Sequence, residues 1–114
     1  MRSFILMNYP LSVEQKDDLI ANWGVDVDNF CYPPYEIRKI WAEIPPEARN
    51  LEELIKPVID WFAETLNEND VVVIHGVSDA IDCIRKSISE ITFLKPVIKT
   101  GKGTFKHVMF KVIT

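Results

Sequence analysis

The order of apolar patterns along the chain predicts an α/β fold: a Rossmann-like, mostly parallel sheet with helices on both faces and a C-terminal antiparallel hairpin. Strand-length apolar runs alternate with segments of helical period, the signature of parallel strand–helix–strand units. Val71 to His75 (VVVIH) is a near-continuous β-branched run, as a central strand covered on both faces requires. Near the end, two further runs flank Gly101-Lys102-Gly103, which reads as a hairpin turn. A chain of 114 residues has room for one domain, spanning 1–114, with one core.

Taken in order, Ser3 to Asn8 (SFILMN) reads as a mostly buried strand ended by Pro10-Leu11. Ser12 and Gln15 fit a capping box for a helix running to about Asn22, with Leu19, Ile20 and Trp23 inward and Gly24 as its stop. Asn29 to Tyr32 is a short second strand closed by Pro33-Pro34. Ile37, Ile40, Trp41 and Ile44 then recur at helical spacing until Pro45-Pro46, which cannot continue a helix. Asn50 with Glu53 is set to cap the next helix, whose apolar face runs from Leu51 to Leu66. Pro57 inside it predicts a kink or a restart. After Val71 to His75, Gly76-Val77-Ser78-Asp79 forms a strand-to-helix junction, and Ile81, Ile84, Ile88 and Ile91 make one stripe. Lys95 to Thr100 and Phe105 to Ile113 are the last two strands. Alternation in the final one is imperfect: Phe105, His107 and Met109 against Lys106, Val108 and Phe110.

The net charge of −4 is unevenly spread. Residues 91–114 carry five lysines and no acid, whereas the first ninety carry eight basic and seventeen acidic residues. An acidic protein repels duplex nucleic acid at long range, so no duplex partner is expected, while a basic tail can build a site for a small anion. The same lysines also read as protection of an exposed sheet edge. No run is long enough to cross a bilayer, and no cleavage site follows the apolar N-terminus, so neither membrane nor export is expected. Cys31 and Cys83 lie in apolar segments without metal-ligand spacing and read as buried free thiols of a reducing, cytoplasmic setting.

Doubly wound sheets bind ligands outside the carboxyl ends of their strands. At those ends stand Asn8, Tyr9 and Ser12; Gly76, Val77, Ser78 and Asp79; and Lys99, Thr100 and Lys102. A helix N-terminus presents free N–H groups and a positive dipole end, so the Gly76–Asp79 junction suits a phosphate or ribose. It also reads as an ordinary cap made by Ser78 or Asp79. An amide and a phenol at Asn8-Tyr9 suit an adenine edge or face, and also a plain turn. His107, the one histidine of the basic tail, can serve as acid, base or cationic donor, or be a hydrogen-bonded strand residue. The sequence offers no Cys/His cluster, G-x-S-x-G or G-x-x-x-x-G-K-[ST], so metal-dependent and serine-nucleophile chemistry are disfavoured and no cofactor is expected.

Several segments resemble a family. Pro10-Leu11-Ser12-Val13-Glu14-Gln15, Ile40-Trp41-Ala42-Glu43-Ile44-Pro45-Pro46-Glu47, Leu51 to Trp61, Lys95-Pro96-Val97 and Phe105-Lys106-His107-Val108-Met109-Phe110 are similar to small stand-alone Csx-type CRISPR-associated proteins. These are related to the CRISPR-associated Rossmann-fold (CARF) ring nucleases. The resemblance spans nearly the whole chain. It implies a homodimer that binds cyclic oligoadenylate, cyclic tetra-adenylate first, and linearises it without a metal by 2′-hydroxyl attack, ending a type III antiviral signal. Alternatives are a non-catalytic sensor or sponge for the same ligand, or a structural partner-binding module. Where that family shows a serine-histidine pair after the first strand, this chain has Asn8-Tyr9, and the connection between the last two strands is short. The reading requires His107 and the Gly76 corner to meet at one rim.

Overall fold

The computed structural model describes all 114 residues, Met1–Thr114. The elements are β1 (Ser3–Leu6), α1 (Val13–Trp23), β2 (Phe30–Cys31), α2 (Tyr35–Ala42), α3 (Leu51–Leu54), α4 (Lys56–Thr65), β3 (Val71–Ile74), α5 (Ser78–Ser87), β4 (Thr92–Gly101) and β5 (Thr104–Val112). They form one five-stranded sheet in the order β2-β1-β3-β4-β5, parallel except for the β4–β5 hairpin. Strand order reverses between β1 and β3, which places the switch-point crevice at their carboxyl ends.

Period-two alternation sorts the side chains onto two faces. Phe4, Leu6, Val72, Ile74 and Phe93 point to the side covered by α2, α4 and α5, where Ile37, Trp41, Val58, Phe62 and Ile84 meet them. Ile5, Met7, Val71, Val73 and Leu94 point to the other side, against Leu19 of α1 and Phe110 of β5. All four residues of β3 are buried, as its sequence requires of a central strand. Helices therefore lie on both faces, four on the first and one on the second.

Local signals account for the element ends. Ser12 Oγ accepts from Gln15 N while Gln15 Oε1 accepts from Ser12 N, completing the capping box of α1. Gly24 ends that helix in the left-handed conformation, φ 73°. Pro57 starts α4 afresh after α3 rather than kinking one long helix. Three expectations are corrected. Ile20 is exposed, because no second helix flanks α1 on its face of the sheet. Asn50 caps nothing with its side chain, since its backbone is not in the extended capping conformation. The stripe stops short of Ile91: α5 ends at Ser87, and β4 begins early, at Thr92, to pair with β3. Cys31 and Cys83 are free but half-buried.

The hairpin overhangs the sheet. β3 pairs with β4 only at Thr92 to Leu94, whereas β4 and β5 remain paired out to Gly101 and Thr104. Pro96 is tolerated because its strand has no neighbour on the β3 side at that point. Gly103, φ 72°, closes the turn. A bulge lies between Val97, which pairs with Met109, and Ile98, which pairs with His107. Val108 is the extra residue, and it explains the broken alternation. His107 and Phe110, three residues apart, share a face with ring centroids 4.8 Å apart.

Candidate functional site

The carboxyl rim is built from three pieces: the β1–α1 connection, the Gly76 corner and the overhanging hairpin. His107 is brought to it by the bulge. Its Nε2 lies 2.7 Å from Asp18 Oδ2, and the ring side chain is only 6% exposed. Asp18 sits one turn into α1, and Asn22 Nδ2 donates to its other oxygen at 2.6 Å. Burial pushes the Asp18 carboxyl up, but the hydrogen bonds from Asn22 and His107 and the attraction of the imidazole outweigh it, leaving the group below the ordinary carboxylate value. An Nε2–H directed at Asp18 fixes the ring's orientation. Nδ1 is buried with no partner.

Beside this pair a cavity of about 400 Å³ opens between Tyr9, Pro10, Ser12 and Gln15 on one wall and Ile98, Phe105 and His107 on the other. Tyr9 is its hinge to the rest of the rim. Its ring packs edge-on against His75, centroids 5.6 Å apart, at the end of β3. Burial pushes the Tyr9 phenol above its ordinary value, against the lowering effect of a hydrogen bond with Gln15. On the β3 side, Gly76 and Ser78 line a cavity of about 560 Å³ together with Lys95, Pro96 and Ile98. Ile98 belongs to both cavities. His107 and the Gly76 corner thus line separate cavities on opposite faces of the sheet, linked at the carboxyl edge by their shared Ile98 and by the Tyr9–His75 ring contact.

The Gly76 corner has a packing reason for its glycine. Trp41 Nε1 donates to the His75 carbonyl at 2.9 Å, and a Cβ on Gly76 would lie 2.9 Å from Trp41 Cζ2 and Nε1. The backbone approaches an indole there. Neither Ser78 nor Asp79 caps α5: the N-cap is Val77, without a side-chain hydrogen bond, so no capping side chain occupies the first-turn N–H groups. Asp79 is exposed in that first turn.

The rest of the predicted set is distributed as follows. Asn8 lies with Tyr9 in a third cavity, of about 660 Å³, between β1 and α2. Ser12 lines the His107 cavity while also capping α1. Lys99, Thr100 and Lys102 occupy the exposed end of the hairpin and line none of these three cavities. Lys99 pairs with Lys106, one position on from the Ile98–His107 pair, and so lies on the opposite face of the hairpin from the imidazole. The sequence does not single out Asp18, which reads as one more acid on the helix, nor give Gln15 any role beyond the capping box, nor mark Phe105, which is 78% exposed at the cavity mouth. Nor does it mark the Tyr32 to Lys39 stretch, although the carboxyl end of β2 was legible and could have drawn attention to it. No three His, Cys, Asp or Glu side chains cluster as metal ligands, and no helix is long and apolar enough to cross a membrane.

Residues 1–86 match the family described as "Uncharacterized protein MJ1673 family". A protein of Methanocaldococcus jannaschii, "Uncharacterized protein MJ1673", is 30% identical over 124 aligned positions covering 96% of this chain and 95% of that one. No solved structure matches. With three-quarters of its length inside the family's span and a relative aligned nearly end to end, the chain belongs to the MJ1673 family.

Proposed function

We propose that this protein binds a cyclic oligoadenylate at the carboxyl rim, as a homodimer across a two-fold axis, and opens the ring without a metal. The observation that supports the reading is that the cavity of His107 and the cavity of the Gly76 corner share Ile98 at the carboxyl edge, beside the Tyr9–His75 ring contact. In the reaction, a ribose 2′-oxygen attacks the adjacent phosphorus and the bond to the neighbouring 5′-oxygen breaks. The 2′ proton is lost, the 5′-oxygen gains one, and the linear product ends in a 2′,3′-cyclic phosphate. Such a step asks the protein for in-line positioning and charge stabilisation. The uncapped start of α5 supplies N–H groups to a phosphate. Asp18 positions His107, whose imidazole stabilises the developing charge or protonates the leaving oxygen. Phe105 and Tyr9 offer faces for adenine. Lys95, at the cavity beside Gly76, supports this anion site better than Lys99 and Lys102 do.

One observation favours a second reading, a binder that leaves the ring intact. His107 is buried, its Nε2 is held by Asp18, and its Nδ1 is covered. A ligand reaches that nitrogen only if the side chains covering it move. Incubating the protein with cyclic tetra-adenylate and separating the products by chromatography decides between the two. Linear product that disappears in His107→Ala supports the nuclease. Tight binding of intact ring supports the binder. Neither binding nor product overturns both.

A further inference from the structure

The chain contains three tyrosines, Tyr9, Tyr32 and Tyr35, and all three line the single cavity of about 660 Å³ between β1, the end of β2 and the start of α2. Each is substantially exposed, at 38%, 47% and 65% respectively. Core packing therefore does not explain why three large rings converge there, because buried tyrosine would hide its ring and satisfy its hydroxyl. Arg38 and Lys39, on the first turns of α2, line the same cleft, are exposed and form no ion pair. Asn8 adds an amide. The cleft lies beside the sheet's switch point, where doubly wound folds hold their ligands. Glu43 is the one acid on its wall, so the lining is net cationic in a protein of charge −4.

We infer that this cleft is a nucleotide subsite: a base stacks on the tyrosine faces, and Arg38 with Lys39 takes the adjoining phosphate. Aromatic faces interleaved with cations are how proteins hold single-stranded nucleotides without reading sequence, and Arg adds a cation–π contribution. A phosphate alone would not need three rings, and an apolar ligand would not need two unpaired cations. Tyr9 also lines the His107 cavity, so one oligonucleotide can run from the tyrosine cleft to the imidazole. In this form the inference rests on the proposed adenylate-binding function, with the tyrosine cleft holding a neighbouring nucleotide of the same ligand.

The test is a titration of ¹⁵N-labelled protein with AMP, linear tetra-adenylate and cyclic tetra-adenylate, followed by amide shifts and repeated with variants. Shifts at Asn8 and across Tyr32 to Lys39 are expected with all three. Tyr32→Ala and Tyr35→Ala should each weaken tetra-adenylate binding about tenfold, the loss of one stacked base. The corresponding Phe variants should bind like the wild type, and Arg38→Ala should bind less tightly and with a flatter salt dependence. Shifts confined to the His107 side, or Ala variants that bind normally, would overturn the subsite and leave the ring-binding reading intact. AMP and linear tetra-adenylate binding here while the cyclic ring does not would keep the subsite and remove the ring. If none of the three binds, both fall.

Discussion

The indole of Trp41 lies directly beneath Gly76 and donates its N–H to the carbonyl of His75, 34 residues away. That contact fixes the angle at which β3 turns into α5. It makes the glycine a requirement of the helix α2 below it, since an added methyl would meet the ring at 2.9 Å.

Gly76→Ala is expected to lower stability by about 1–3 kcal/mol through overpacking. Trp41→Phe alone should cost about 1 kcal/mol or more, because it leaves the His75 carbonyl without its donor. The double variant should be less destabilised than the sum, since the smaller ring makes room for the methyl. Urea denaturation of the four proteins measures the coupling.

Asp70, 5% exposed, depends on one cation. Arg2 donates to it through Nε at 3.2 Å and Nη2 at 2.7 Å, and also reaches the Thr65 carbonyl at 2.9 Å. Arg2→Met is expected to cost about 2–3 kcal/mol. This is below the usual cost of orphaning a buried charge, because the guanidinium is one-third exposed and solvent already screens the pair. Replacing Asp70 by Asn in the same background should recover part of the loss in a thermal melt.

The Asp18–His107 pair predicts an acid-side slope in stability. Asp18 has a carboxyl pKa lower in the folded protein than its ordinary value, so the unfolded chain binds the proton more readily. Its stabilisation is complete above the ordinary carboxylate pKa, near 3.8, and is lost as pH falls through the lower folded value. Asp18→Asn should therefore be less stable at pH 7 and show a shallower decline below about pH 4. Chemical denaturation at a series of pH values from neutral downward checks both.

Much of the scaffold was legible because its signals are local. The β-branched Val71–Ile74 run, the Ser12–Gln15 box, Gly24 and the Gly101–Gly103 turn each act within a few residues. The rim was legible only in part, because what builds it is long-range. His107 and Asp18 are 89 positions apart, and nothing in α1 distinguishes Asp18 from the solvated acids beside it. The lysines of the tail were read as one basic group, yet pleating sends Lys99 to the face away from His107. Tyr32 reads only as the end of the second strand, and Tyr35, just past the two prolines, carries no signal of its own. Their common cleft with Tyr9 exists only because β1 and β2 are neighbours in the sheet.

The extra residue at Val108 makes β5 sensitive to changes in length in a way its turn is not. Beyond Gly101, added residues would only extend a solvent-facing loop. Losing one residue at the bulge would reverse the parity of the strand's outer half, carrying the imidazole to the far side while Phe110 stayed plugged into the base. Natural relatives that keep this rim should accordingly accept insertions at the hairpin tip and tolerate none between the imidazole and the phenyl ring.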